Sequence, residues 1–308
     1  YDIPSGVEAD TGRYDACIRS DLVIAFQALK PAHLVHWRRE YLKEALVASI
    51  GTPPEVSAGF DGFIPAIDGG TFSSARPVRR EMGHKGTNGR LAVVAGSRAY
   101  RGAAALCCRA ALRSGVGYVH LASVEEVCAL VLGRSPEVLC TSCPAAGDGT
   151  LSQEGMDAAL AAVEEADAVV LGCGLGNSPT AAEMVRGVLH AAKKPVVLDA
   201  DGLNILAQNI TLLKETRAPL ILTPHPGEFS RLFGLHINEV VRNPIHWAQT
   251  IAGQYGFTLL LKGPVTVISD GGERTAVSFL GNSGLARAGS GDVLSGIIGA
   301  MAARGLDT

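Results

Sequence analysis

From residue 91 onward, short apolar runs alternate with longer stretches of helical period, and this alternation constrains the fold more than any other feature. Residues 91–95, 117–122, 168–171, 195–199 and 220–223 are runs of strand length rich in Val, Leu, Ile and Ala. Helices are predicted over 102–114, 124–132, 154–164 and 180–192, after 199, from Pro226, over 243–255 and over 289–303. Strands that alternate with helices form βα units on a mostly parallel sheet covered on both faces. The last three strands, 257–262, 265–269 and 275–278, are separated only by short turns and predict an antiparallel edge. The expected class is α/β, with a three-layer αβα architecture.

Composition narrows the function. Lys and Arg number 27 against 30 Asp and Glu, for a net charge of −3. No basic excess exists to neutralise a phosphate backbone, so no nucleic-acid partner is expected. No apolar run reaches membrane-spanning length and no leader pattern is read, so the expected location is cytoplasmic, with no membrane partner. The seven cysteines are an odd number, mostly set in apolar runs, and imply no disulfide framework. Cys140-Thr141-Ser142-Cys143 has redox or zinc spacing, but no second pair or His follows at ligand distance, so two incidental thiols in a loop are expected.

The first fifty residues form a separate unit. Residues 21–26 predict a buried strand and 37–47 an amphipathic helix. Residues 52–80 contain Pro53, Pro54, Pro65 and Pro77 with little periodicity, as expected of a linker or a loop covering a neighbour. The proposed division is therefore 1–51, 52–80 and 81–308. Tyr1 leads straight into a motif and Thr308 follows an apolar helix, so both ends are read as cuts from a longer protein.

Each strand of the repeating pattern is followed by a Gly-rich or polar cluster, and ligands of open parallel sheets bind beyond the carboxyl ends of strands. After residue 95 come Gly96-Ser97 and then Gly102-Ala103-Ala104. After 171, the run Gly172 to Asn177 is either a ligand loop or a tight packing turn. Asp199-Ala200-Asp201 and Asn204 suit a substrate hydroxyl or Mg²⁺, although Asp201 alone could cap the next helix. His225 is held between Pro224 and Pro226, which fix where it points. Lys262 to Thr266 spans a tight turn whose lysine and backbone N–H groups can hold phosphate, or whose lysine is merely exposed. Gly289-Ser290-Gly291-Asp292 opens the last helix. Small residues there admit an anion to the helix's positive end, and Asp292 can act as a base toward a hydroxyl that attacks a nucleotide's terminal phosphate. These features describe an α/β enzyme with an anion hole, a base and a substrate-facing His, suited to phosphoryl transfer.

Seven motifs, carried by His84 to Gly89, Val94 to Ser97, Gly172 to Gly176, Leu198 to Asn204, Leu222 to Glu228, Leu261 to Gly263 and Gly289 to Leu294, stand in the order found in NAD(P)H-hydrate dehydratases. The stretch from about 80 to 308 resembles that ribokinase-like family. Asp2-Ile3-Pro4-Ser5-Gly6, Asp10-Thr11-Gly12, the run from Asp21 to Phe26 and Lys30-Pro31 resemble the carboxyl end of an NAD(P)H-hydrate epimerase domain, which in many bacteria precedes the dehydratase in one bifunctional chain. The resemblance implies phosphorylation of the ring hydroxyl of hydrated NADH or NADPH, with ADP favoured over ATP as donor, followed by phosphate elimination. It implies that Ala103, Gly176, His225 and Asp292 contact the hydrate. Lys262, Gly263, Pro264, Val265, Thr266 and Gly291 would hold the nucleotide, beside the anion hole of Gly289 and Ser290. Asp292 would be the base and Glu228 would help position Mg²⁺. In the epimerase remnant, Asp2 would be a substrate contact and Ser5 a ligand for K⁺, a cofactor of the full-length parent. A homo-oligomer is expected. One departure stands out: Arg287-Ala288 replaces the usual Thr-Gly before Gly289, placing a methyl where a positive φ is expected and a cation near the phosphates. The competing readings are a ribokinase-like vitamin-precursor kinase and a non-catalytic nucleotide-binding protein.

Overall fold

The computed structural model describes residues 1–307 apart from 59, 61, 62, 76, 80 and 273. Its main body is one nine-stranded sheet. The strands are β3 (Arg90–Val94), β4 (Tyr118–Val124), β5 (Leu139–Cys143), β6 (Ala168–Leu171), β7 (Val196–Leu198), β8 (Leu220–Leu222), β9 (Thr258–Leu261), β10 (Thr266–Ser269) and β11 (Thr275–Ser278). They lie in the order β11-β10-β9-β8-β7-β6-β3-β4-β5. Every pair from β5 to β9 is parallel, and β10 and β11 turn antiparallel at the edge. Leu91, Val93, Val94 and the whole of β6 are buried because helices cover both faces, which explains why these strands are continuous apolar runs.

The helices of the body are α3 (Arg101–Arg113), α4 (Glu125–Leu132), α5 (Met156–Glu164), α6 (Pro179–Ala191), α7 (Asp201–Leu206), α8 (Leu212–Glu215), α9 (Pro226–Phe233), α10 (Ile237–Arg242), α11 (Pro244–Tyr255) and α12 (Ser290–Ala303). They follow α1 (Pro54–Ala58) and α2 (Gly69–Ala75). Helix α12 sits unusually close to its neighbours. A methyl at Gly296 would lie 2.2 Å from the carbonyl oxygen of Cys107 on α3, and one at Gly299 would lie 2.4 Å from Val170 on β6. The small-residue face of α12 is therefore a condition of its packing, and that packing fixes where its amino end points.

The strand expected over 21–26 forms but is partly exposed rather than buried, with Leu22 49% and Phe26 38% exposed, and two other predicted elements differ in kind. Residues 37–47 are not a helix. A 3₁₀ turn at His36–Glu40 gives way to β2 (Leu42–Ala48), which pairs in parallel with β1 (Ser20–Phe26). The spacing of Leu42, Ala45 and Leu46 fits a helical face, but pairing with β1 overrides it. Cys140 and Cys143 lie in β5 rather than in a loop, paired with Leu121 and Val124 of β4. As an edge strand rich in Thr and Ser, β5 lacks the apolar run that marks the central strands. All seven cysteines are free thiols.

The β1–β2 unit packs a small core of Val23, Val35, Tyr41 and Leu42, with the Tyr41 hydroxyl donating to the Ala32 carbonyl at 2.6 Å. Parts of 52–80 lie outside the described residues, but the segment around Ala66 bridges to β11. There the Ile67 N–H donates to Val277 O at 2.8 Å and the Val277 N–H donates to Pro65 O at 2.9 Å. No helix among the described residues is long and apolar enough to cross a membrane.

Candidate active site

Chain order runs outward in both directions from β3, toward β5 on one side and β11 on the other. The carboxyl ends of β3 and β6 therefore flank the switch point, where open sheets leave a crevice. The Gly172–Asn177 turn fills one wall of it. Ser97 Oγ donates to Gly174 O at 2.9 Å, and the Gly96 N–H donates to Cys173 O at 2.8 Å. Ala103 packs so tightly on this turn that a methyl at Gly174 would come within 2.8 Å of its Cβ. The Gly176 N–H donates to Asp201 Oδ2 at 2.9 Å, which ties the β6 turn to the β7 turn. Asn204 faces elsewhere: its Oδ1 accepts from Arg231 Nη2 at 3.0 Å.

The two carboxylates after β7 face different partners. Ala200 between them adopts φ 50° and ψ −118°, a conformation that strains any residue with a Cβ. Asp201 is turned to the β6 loop and Asp199 to the opposite side. Asp199 is 2% exposed; its Oδ1 accepts from Lys262 Nζ at 2.9 Å and its Oδ2 from Ser295 Oγ at 2.7 Å. The two carboxylates thus have different partners within the chain, although both lie near Asp292.

His225 lies at the head of α9 and caps it. Its Nδ1 accepts from the Gly227 N–H at 3.0 Å and the Glu228 N–H at 3.3 Å. Glu228 completes the box: its Oε2 accepts from the His225 N–H at 2.8 Å, while its Oε1 lies 3.6 Å from His225 Nε2. Lys262 reaches the same carboxylate at 3.9 Å, and its own N–H donates to Pro224 O at 2.8 Å. Gly263 and Pro264 are exposed in the β9–β10 turn and Val265 and Thr266 are half-buried.

The last component is the amino end of α12. Gly289 takes φ 91° at the cap position, and no side chain caps this fourteen-residue helix. The Ser290 N–H donates to Arg287 O at 3.4 Å, while the N–H groups of Gly291 and Asp292 and the helix dipole face outward near Lys262, and a methyl at Gly291 would lie 3.6 Å from Lys262 Nζ. Asp292 is half-buried in that turn. Burial raises its pKa, and the Asp199 and Asp201 charges add to the rise. A hydrogen bond from the Cys173 thiol and the Lys262 charge oppose it. A carboxylate with raised basicity beside an uncapped helix end and an ammonium group can accept a proton next to a bound anion. Ala288 is not among the described non-glycine residues with positive φ, which are Asp2, Gln27 and Ala200, so its methyl is accommodated without the expected strain.

A family model for NAD(P)H-hydrate dehydratase matches residues 91–308. The chain belongs to the NAD(P)H-hydrate dehydratase family. A bifunctional NAD(P)H-hydrate repair enzyme of Moorella thermoacetica is 36% identical over 306 residues, which cover 99% of this chain and 58% of that one. The corresponding enzyme of Escherichia coli is 35% identical over 301 residues, 97% of this chain and 55% of its own length. The chain thus spans little more than half the length of these curated relatives. Among solved structures, an ADP/ATP-dependent NAD(P)H-hydrate dehydratase from Bacillus subtilis, co-crystallised with ATP and Mg²⁺, matches at 30% identity and a TM-score of 0.66, covering 80% of this chain and 83% of that one. A ribokinase-like superfamily protein from Enterococcus faecalis matches at 25% identity and a TM-score of 0.69, covering 78% and 80%. The nine-stranded body is a ribokinase-like fold.

Within this dehydratase-family site, sequence reasoning missed Ser295, Cys173 and Arg231. Ser295 sits in an apolar helical run without a local signal and Cys173 inside the Gly172–Asn177 turn, and only the approach of α12 to β6 and β7 reveals what they face. The His84 to Gly89 motif is not part of the site. It lies at the opposite end of the sheet, where Asn88 O accepts from the Gly117 N–H at 3.0 Å. Glu228 Oε2 accepts from the His225 N–H at 2.8 Å and lies 3.9 Å from Lys262 Nζ, while its Oε1 lies 3.6 Å from His225 Nε2. Among the described residues no group of three or more His, Cys, Asp or Glu is arranged to bind a metal ion. Two cavities lie apart from the site. One, about 750 Å³, is lined by Arg13, Glu40 and Arg242 between the small unit and α10. The other, about 600 Å³, is at the foot of the sheet beside Lys194 and Arg304.

Asp2 and Ser5 lie in the β1–β2 unit. Asp2 Oδ1 accepts from the Phe26 N–H at 2.8 Å and from Lys30 Nζ. Ser5 is exposed, and its carbonyl accepts from the Ile18 N–H at 3.0 Å.

Proposed function

We propose that this chain restores NADH and NADPH from their hydrates. A nucleotide, ADP in preference to ATP, phosphorylates the ring hydroxyl, and elimination of that phosphate re-forms the double bond. The observation that carries this reading is Asp292, with raised basicity, in the uncapped first turn of α12 beside Lys262. Asp292 takes the hydroxyl proton as the oxygen attacks the terminal phosphorus. The bond to the nucleotide's leaving phosphate breaks, and the remaining nucleotide departs. The N–H groups of Gly291 and Asp292, at the amino end of α12, and the Lys262 ammonium stabilise charge on the transferring group. Ala103, Gly176, Asp201 and His225 line the wall toward the hydrate. The turn from Lys262 to Thr266 faces the nucleotide. Mg²⁺, which usually prefers phosphate oxygens and water, would arrive with the nucleotide, and Glu228 would help position it.

The first fifty-one residues are proposed to be the carboxyl-terminal part of an epimerase domain whose other parts belong to a longer parent, with Asp2 as substrate contact and Ser5 as a K⁺ ligand there. This reading is supported by the bifunctional relatives, which match nearly the whole chain. Purified 1–308 is expected not to interconvert the hydrate epimers.

The test is recovery of reduced-nicotinamide absorbance from NADH hydrate with Mg²⁺ and either ADP or ATP, beside Asp292→Asn. Recovery that requires nucleotide and is lost in the variant supports the reading, and the better donor identifies itself. A stable phosphorylated product without NADH recovery would replace it with a small-molecule kinase. Nucleotide binding without any turnover, also in a full-length parent, would leave a binding protein.

A further inference from the structure

Lys262 is the cation that the functional reading places on phosphate, yet an ammonium on a flexible four-carbon stem is a poorly fixed point by itself. Here its position is prescribed from two other elements. Asp199, at the end of β7, holds Nζ at 2.9 Å, and Ser295, on the second turn of α12, holds the other oxygen of Asp199 at 2.7 Å. Both anchors are out of water: Asp199 is 2% exposed and Ser295 is fully buried. A buried carboxylate needs partners on both oxygens, and these two provide them. Ser295 Oγ also lies 3.1 Å from Gly291 O, but a hydroxyl has one proton, and the shorter contact is to Asp199. The chain of contacts ends where the anion would sit: a methyl at Gly291 would touch both Asp199 Oδ2, at 3.5 Å, and Lys262 Nζ, at 3.6 Å.

We propose that Asp199 and Ser295 are positioning residues that fix the Lys262 ammonium against the first turn of α12, so that nucleotide phosphate meets a preset cation. Neither touches the reacting atoms. This rests on the phosphoryl-transfer reading above, and it makes α12 responsible for two things at once: its amino end supplies N–H groups, and its buried second turn aims the lysine.

The test is a mutant cycle read by nucleotide binding in calorimetry and by kcat and KM in NADH recovery. Ser295→Ala is expected to weaken Mg-nucleotide binding and raise nucleotide KM about fivefold, with kcat changed less than about twofold. Asp199→Asn should raise nucleotide KM more strongly, about thirtyfold, and should also lower kcat, because its charge helps raise the basicity of Asp292; the kcat-neutral readout therefore rests on Ser295. In a Lys262→Met background, Ser295→Ala should add less than about twofold, because the ammonium it positions is gone. Should Asp199→Asn fail to fold, as thermal unfolding would show, the Ser295 pair of measurements decides alone. Unchanged binding and KM in Ser295→Ala would overturn the proposal, and so would an equal loss in both backgrounds, which marks a merely structural hydroxyl. A wild-type chain that binds nucleotide with this coupling but restores no NADH would sink the dehydration reading while leaving the positioning role intact.

Discussion

Two lysine–aspartate pairs stand at the carboxyl ends of parallel strands in this molecule, and they differ in what lies behind the aspartate. Lys30 pairs with Asp2 at the end of β1, and Lys262 pairs with Asp199 at the end of β7. The lysines are equally accessible, 26% and 23% exposed, but the aspartates are 35% and 2% exposed. Asp2 can fall back on water when its partner leaves. Asp199 cannot, and its alternative is an uncompensated charge in the interior. The same pair of residue types is thus a surface fastening in one unit and a fixed part of the candidate site in the other.

That contrast can be broken or sharpened by experiment. The largest effect should come from the neighbour whose basicity Asp199 helps set. Asp292→Asn is expected to lower turnover by about 10² to 10⁴-fold, whereas Lys30→Met should leave NADH recovery within about twofold. Next is stability: Lys262→Met should cost about 3 kcal/mol in urea unfolding by stranding Asp199, against about 0.5 kcal/mol for Lys30→Met. Equal losses would dissolve the distinction. Ala200→Gly removes strain of about 1–3 kcal/mol at φ 50° but loosens the unfolded chain by about 0.4–1 kcal/mol, so a net gain of about 1 kcal/mol is expected, measured as a raised Tm.

The smallest effect is a difference of sign with pH. For Asp2, burial pushes the pKa up, but the Lys30 hydrogen bond and the Phe26 N–H outweigh it and leave the pKa lowered. Its stabilising contribution is present above the ordinary carboxylate pKa of about 3.9 and is lost as pH falls toward the lower folded value. Asp292 is raised by burial and by Asp199, so its ionised form weakens the fold. That penalty is complete above the raised folded value and is relieved as pH falls through it. Unfolding free energies across acidic pH should therefore shift in opposite directions in Asp2→Asn and Asp292→Asn relative to wild type. Activity should fall on the acid side at a pH above the ordinary Asp value.

Much of this was legible in the sequence because periodicity is a local signal. The parallel body, its antiparallel edge and the clusters at His225, Lys262 and Gly289 to Asp292 follow from runs and their terminators. What escaped depends on partners far along the chain. Leu42–Ala48 becomes a strand because β1 lies beside it, and Leu139–Cys143 becomes one because β4 does. Asp199 and Asp201 share a motif, and only the backbone of Ala200 shows that they face apart. Ser295 lies 96 residues from the carboxylate it holds, inside a helix whose sequence resembles plain core.

The cap on α9 has a consequence for proton traffic. With Nδ1 of His225 accepting two backbone N–H bonds, the ring's single proton resides on Nε2 in the neutral form. The imidazole then offers the site one donor and no lone pair. On that protonation it can donate to a ligand oxygen but cannot strip a proton from one without unfastening the helix behind it. The tautomer thus separates steering from deprotonation, and under the proposed function the second task falls to Asp292.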